Sequence, residues 1–164
     1  MNPSYDVVKK IFEYLEHVEQ PHTGLAKDIE KRDVVWLKKN ERIRDAAEKM
    51  RQYGFSQLPI RDEKEEMCIG SISERQIVQS LLKEPDPKSF YDKLVADVME
   101  EQFPVVDETM PASAVAMLLQ HSQAILTARK GKIVGIITPT DLLAASAGSR
   151  AARKYSASDG PVSS

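Results

Sequence analysis

Apolar residues along the chain switch between two spacings, and the switches mark out its elements. Val7, Val8, Ile11, Phe12 and Leu15 recur at the three-and-four spacing of one helix face, with Ser4 of Asn2-Pro3-Ser4 placed to cap it. From His17 to Ala26 the pattern dissolves around Pro21 and Gly24, as in a connector. Asp33 to Leu37 then predicts a strand, and Asn40 or Glu41 to Tyr53 an amphipathic helix carrying Ile43, Ala46, Ala47 and Met50 and stopped by Gly54. Phe55 to Ile60 predicts a short strand, in which Pro59 argues for a sheet edge or a strand end because it has no N–H to give a ladder. The charged run Arg61 to Glu66 reads as a solvated hairpin turn into a strand from Met67 to Ile72, and Glu74 to Lys83 as a helix.

After the loop Glu84-Pro85-Asp86-Pro87 the same order returns. Phe103 to Val106 predicts a strand, Pro111 to Gln120 a helix and Ala124 to Ala128 a strand. Lys130-Gly131 is a tight turn into a strand from Ile133 to Thr138, and Asp141 to Ala147 predicts a final helix. The tail from Gly148, rich in Ser, Ala and Gly and mildly basic through Arg150, Arg153 and Lys154, reads as a frayed end. The match extends to residues: Asp28-Ile29, Val34-Val35 and Ile69-Gly70-Ser71-Ile72-Ser73 recur as Asp97-Val98, Val105-Val106 and Val134-Gly135-Ile136-Ile137-Thr138. A period of roughly 65 to 70 residues with mixed strands and helices is too long for a solenoid unit. One such copy buries little surface alone, so the pattern predicts one compact α/β (α+β) domain of two halves sharing a core.

Composition narrows the function. The 164 residues carry a net charge of -2 and a pI near 6.0, so no basic excess exists to hold a nucleic-acid backbone. Direct nucleic-acid binding by this chain is therefore disfavoured. No stretch approaches the roughly 20 apolar residues that span a bilayer, and the start lacks the apolar core of a signal peptide. A cytoplasmic protein without a membrane segment is the expectation. Cys68, the only cysteine, lies inside the apolar run Met67-Cys68-Ile69, as a buried small hydrophobe would. His17, His22 and His121 fall in three separate segments without metal-ligand or catalytic spacing, and neither a nucleophile elbow nor a phosphate loop is present. The expectation is no enzyme, no catalytic group and no metal.

Candidate chemistry gathers at Thr138-Pro139-Thr140-Asp141, where an apolar strand meets the start of a helix and a hydroxyl and a carboxylate lie beside unpaired backbone N–H groups. A carboxylate there can accept both hydroxyls of a ribose diol. A simpler reading is that Thr138 and Asp141 only cap the last helix. The residues alone leave both open.

Gly54-Phe55-Ser56-Gln57-Leu58-Pro59-Ile60, Gly70-Ser71-Ile72-Ser73 and Gly135-Ile136-Ile137-Thr138-Pro139-Thr140-Asp141 resemble the motifs of paired cystathionine β-synthase (CBS) domains, the Bateman module. The resemblance implies an N-terminal helix and linker over 1–25, one β-α-β-β-α repeat over 26–84, an inter-repeat loop over 85–95, a second repeat over 96–147 related to the first by a pseudo-two-fold, and a tail over 148–164. It looks closest to archaeal modules that follow a helix-turn-helix domain in predicted transcriptional regulators, with Asn2-Pro3-Ser4 similar to the end of such a domain. On that reading the chain is the regulatory part without a reader of base sequence.

The family's composite rule implies one adenosyl site formed by Ile29, Phe55, Ser56, Gln57, Leu58 and Pro59 with Ile137, Thr138, Thr140 and Asp141. In the other copy, Ser73-Glu74-Arg75-Gln76 with Val98 and the His121 to Leu126 stretch, Gln76 stands where the ribose acid is expected, which implies a degenerate site. The neutral pair Ser56-Gln57, where AMP- and ATP-binding relatives often carry basic residues, favours S-adenosylmethionine or methylthioadenosine over AMP or ATP, and Phe55 offers a face to a sulfonium. Lys31 and Arg32 could still serve a phosphate. The function implied is a non-catalytic sensor acting as a homodimer on an unknown effector protein; the alternative is a ligand-free interaction and dimerisation module.

Overall fold

A computed structural model of the chain describes residues 8–10 and 24–147. The expected cap Ser4, the helix positions Val7, Ile11, Phe12 and Leu15, and the tail from Gly148 lie outside the described residues. Within them the elements run β1 (Leu37–Lys38), α1 (Ile43–Tyr53), β2 (Gln57–Asp62), β3 (Met67–Ser73), α2 (Glu74–Leu82), α3 (Pro87–Tyr91), α4 (Val95–Val98), β4 (Val105–Asp107), α5 (Ala112–Leu118), β5 (Ile125–Arg129), β6 (Lys132–Ile137) and α6 (Pro139–Ser146). They form an α+β protein with two three-stranded sheets ordered β1-β2-β3 and β4-β5-β6. In both sheets the first pair is parallel and the second antiparallel. Both also carry a register shift at matching places, Ile60/Arg61 and Thr127/Ala128. The sequence repeat is thus a repeat of topology, down to the irregularity.

The chain packs as two units. Among the described residues, a central unit holds 35–103 and a terminal unit holds those up to 34 together with those from 104 on. Each has its own apolar cluster. In the central unit Leu37, Ile43, Ala46, Met50, Leu58, Ile60, Ile72, Ile77, Phe90 and Val95 pack together. The terminal unit gathers Val8, Ala26, Ile29, Val106, Ala112, Val115, Ala116, Ile125, Ile137 and Leu142. The physical reason is that each sheet turns one face to its own helices, so the apolar stripe of α1 and that of α5 are each satisfied locally. The leading segment of the first repeat, through Ile29, therefore belongs to the core that the second repeat builds.

Local rules explain most boundaries. Gly54 ends α1 in the left-handed region, at φ 71°, where its N–H caps the Met50 carbonyl and a side chain would be strained. Helix α1 starts at Ile43 rather than at Asn40 or Glu41, because Arg42 is the extended cap and its N–H is taken by the Asp45 carboxylate at 2.8 Å. Lys130 and Gly131, at φ 50° and 81°, make the expected tight turn between β5 and β6.

Other expectations need correction. β1 is Leu37–Lys38, not Asp33 to Leu37, and Trp36 precedes the strand instead of lying in it. β2 is the middle strand of its sheet, not an edge, although it contains Pro59. The two facts have one cause. Leu37 pairs with Ile60, so Trp36 would next face Pro59, which has no N–H to extend the parallel ladder. Strand β2 runs Gln57–Asp62 rather than Phe55 to Ile60, and β4 runs Val105–Asp107 rather than Phe103 to Val106, following the proline at 104. Helices α3 and α4 were not expected. Asp86 caps α3 by accepting the Lys88 N–H at 3.1 Å, Pro87 takes the first turn, and Phe90 is buried.

Candidate functional site

Thr138 and Asp141 sit where β6 gives way to α6, and their side chains lock together. Thr138 is the extended cap of α6, and its backbone N–H and its hydroxyl both donate to Asp141 Oδ2 at 2.9 Å. The Asp141 N–H returns a 3.4 Å bond to the Thr138 hydroxyl. Pro139 fills the first turn, where its missing N–H costs nothing. This is a complete capping box, so the capping reading of these residues is true. Capping does not use Asp141 Oδ1, which faces the Lys31 ammonium at 3.2 Å. The carboxylate is 7% exposed and the lysine side chain 50%.

The segment that delivers Lys31 is held from two directions. Its backbone pairs with Ile136 of β6 through Lys31 N–H to Ile136 O and Ile136 N–H to Lys31 O, both at 2.9 Å. Next to it the Glu30 side chain, fully buried, accepts a hydrogen bond from the Thr127 hydroxyl of β5, and Arg32 Nε lies 3.8 Å from its other oxygen. Gly135 lets this happen: a Cβ there would fall 2.7 Å from both Glu30 Oε2 and Thr127 Oγ1. Ile29 is buried in the terminal core.

Of the ten expected site residues, Ile29, Ile137, Thr138, Thr140 and Asp141 belong to the terminal unit, while Phe55, Ser56, Gln57, Leu58 and Pro59 belong to the central unit. Within the terminal unit, Thr140 is exposed, Thr138 is half-buried, and the Ile137 side chain lies in the core. In the central unit Leu58 is likewise a core side chain and Pro59 is buried. Ser56 is exposed and its hydroxyl donates to the Gln57 side chain. Phe55 is half-buried and stacked on Tyr53, with ring centroids 6.1 Å apart.

The equivalent turn of the central unit is built differently. Ser73 caps α2 by accepting the Gln76 N–H at 3.1 Å, and no acid stands in that turn's third position. Gln76 instead donates its side-chain N–H to the Val98 carbonyl, and its own Oε1 is buried without a partner. Glu100, matching Lys31, pairs through its backbone with Ser71. Cys68 is buried, and burial pushes its thiol up from its ordinary value, which makes it an unreactive core group. Among the described residues no cluster of His, Cys, Asp or Glu is arranged to hold a metal, and no helix is long and apolar enough to cross a membrane.

Three participants escaped the sequence reading as site residues: Glu30, Thr127 and Gly135. Thr127 left a signal as a polar residue inside the apolar run Ile125 to Ala128, and Gly135 as the match of Gly70 in the repeat.

Comparison with known proteins follows the same lines. A family model described as the CBS domain matches the chain twice, at residues 26–83 and 95–148. An uncharacterised protein of Methanopyrus kandleri is 29% identical over 122 residues, which cover 71% of this chain and 59% of that protein. The chain thus spans less than two thirds of that relative. Among solved structures the chain is similar to a Methanocaldococcus jannaschii protein put forward as an archaeal homologue of g-AMPK, at TM-score 0.69 and 20% identity over 84% of this chain and 52% of that one. It is similar also to a CBS-domain containing protein of Agrobacterium tumefaciens, at TM-score 0.67 and 17% identity over 75% of this chain and 93% of that one. At such identities the likeness is one of fold.

Proposed function

The chain belongs to the CBS-domain family as a tandem of two CBS domains, and from that premise we propose that it is a regulatory module that binds an adenosyl ligand at the Thr138 to Asp141 turn without turning it over. The observation that carries this reading is Asp141: a nearly buried carboxylate whose Oδ2 completes the helix cap while Oδ1 is left over for other donors. A helix cap alone does not require that second oxygen, whereas a ribose diol does. Thr140 stands beside it as an exposed residue, and Ile29 and Ile137 are proposed as the apolar neighbours of the base.

Phe55, Ser56, Gln57, Leu58 and Pro59 are proposed to complete the ligand set. Ser56 and Gln57 bring no charge to it, so S-adenosylmethionine or methylthioadenosine is favoured over AMP or ATP. The ligand would act by differing in affinity for two packings of the module, which an effector protein reads. Calorimetric titration tests the reading. Asp141→Ala is expected to weaken adenosyl binding by about 1.5 to 3 kcal/mol, the worth of hydrogen bonds to a charged acceptor. Unchanged affinity would remove Asp141 from the site. Hydrolysis of ATP or S-adenosylmethionine that survives purification and disappears in Asp141→Ala would make the protein an enzyme instead.

A second reading, an interaction and dimerisation module, is favoured by Val78 and Leu82 on α2, which are 54% and 81% exposed four residues apart on one helix face. It predicts a homodimer by sedimentation that Leu82→Glu dissociates. A wild-type monomer at all concentrations would count against it.

A further inference from the structure

Lys31 and a ribose would compete for the same oxygen. Resting on the reading of Asp141 as a ribose seat, we propose that Lys31 is an internal competitor that sets how many ribose hydroxyls the site reads. The argument is a count of lone pairs. An ionised carboxylate offers about four acceptor positions, two on each oxygen. On Asp141 Oδ2 both are used, one by the Thr138 N–H and one by the Thr138 hydroxyl, each at 2.9 Å. Both remaining positions are on Oδ1, and the Lys31 ammonium at 3.2 Å takes one. One position is left. With Lys31 in place the carboxylate can accept a single ribose hydroxyl, and a second is accepted only when the ammonium moves away.

The backbone of Lys31 cannot make that move, because both its N–H and its carbonyl are paired to Ile136 in β6. The side chain can. It is half exposed, so its release exposes no buried charge of its own, and a flexible four-carbon stem separates the ammonium from the fixed backbone. Asp141 by contrast is 7% exposed and held by the cap, so the carboxylate stays and the cation yields. The matching position of the central unit carries Glu100, and the turn it would face carries Gln76, so neither member of the competing pair recurs there.

Titration of wild type, Lys31→Met and Lys31→Arg with adenosine and with 2′,3′-dideoxyadenosine tests this. The methionine keeps the stem and the backbone pairing but removes the cation. Lys31→Met is expected to bind adenosine about twofold to fivefold more tightly than wild type, the range set by a half-exposed ion pair. Affinity for dideoxyadenosine is expected to stay the same, and Lys31→Arg to behave as wild type does. Equal or weaker adenosine binding by Lys31→Met would overturn the proposal, and so would equal tightening of both nucleosides. If adenosine bound neither wild type nor variant, the ribose-seat reading itself would fall, and this inference with it; binding by wild type without the predicted difference would remove the competition alone.

Discussion

At Gly135 the chain has no room for a side chain: a Cβ would lie 2.7 Å from the Glu30 carboxylate and from the Thr127 hydroxyl. That crowding ties a strand residue to the fastening of the segment that carries Lys31. Gly135→Ala is expected to cost about 1 to 3 kcal/mol, the usual penalty of overpacking, and to shift the urea midpoint without changing the slope. An unshifted midpoint would mean that Glu30 swings aside. The glycine itself was visible in the repeat, where it matches Gly70, but its reason was not. It depends on Glu30, 105 positions earlier, folding over the sheet, a contact that no local pattern encodes. The residue-level chemistry of Thr138 and Asp141 was legible, because a hydroxyl and an acid three residues apart at a strand-to-helix junction are a local signature. The Lys31 partnership was not, since it joins positions at opposite ends of the chain.

Elements were legible where periodicity and stop signals agreed, as for α1 with its Gly54 cap, and shifted where pairing decided the ends. β1 shows the limit. Val34, Val35 and Trp36 have high strand propensity, yet only Leu37 and Lys38 pair, because Pro59 ends the ladder on the partner strand. Between β4 and β5 the pairing is reinforced by the Glu108 carboxylate, which accepts from Arg129 Nε at 2.7 Å and from its Nη2 at 3.1 Å. That hydrogen bonding holds the Glu108 carboxyl below its ordinary value. A carboxyl lowered by folding stabilises the protein above its unfolded value, near pH 4.3 for a free glutamate, and loses that contribution as pH falls through the lower folded value. Arg129→Ala is therefore expected to make stability less sensitive to pH below about 4.5, measured as melting temperature against pH. An unchanged acid slope would show that the pair contributes nothing. At the matching strand turn, Asp62 holds the Lys64 N–H at 3.0 Å and Lys39 at 3.1 Å, so the charged run Arg61 to Glu66 does serve its hairpin.

For the whole molecule, duplication supplies two equivalent turns, and sequence divergence has made them unlike. One ends in Asp141, whose second oxygen faces Lys31 outside the helix cap; the other ends in Gln76, which spends its amide on the Val98 carbonyl. Both the repeat and this difference were readable in the chain, because a doubled pattern allows each position to be checked against its twin. How the chain distributes its segments was not readable: among the described residues, those up to 34 pack with those from 104 on, and 35 to 103 form the other unit. Two sequence repeats do not state which linker closes which sheet. From the asymmetry we expect one adenosyl ligand per chain, and Gln76→Ala to leave that stoichiometry unchanged. The most direct test is calorimetric titration of the purified chain with S-adenosylmethionine, methylthioadenosine, AMP and ATP, with Asp141→Ala alongside. The account predicts saturable binding near one ligand per chain, strongest for the first two and lost or much weakened in the variant. No heat from any of the four, together with a melting temperature that stays put at high ligand concentration, would contradict it.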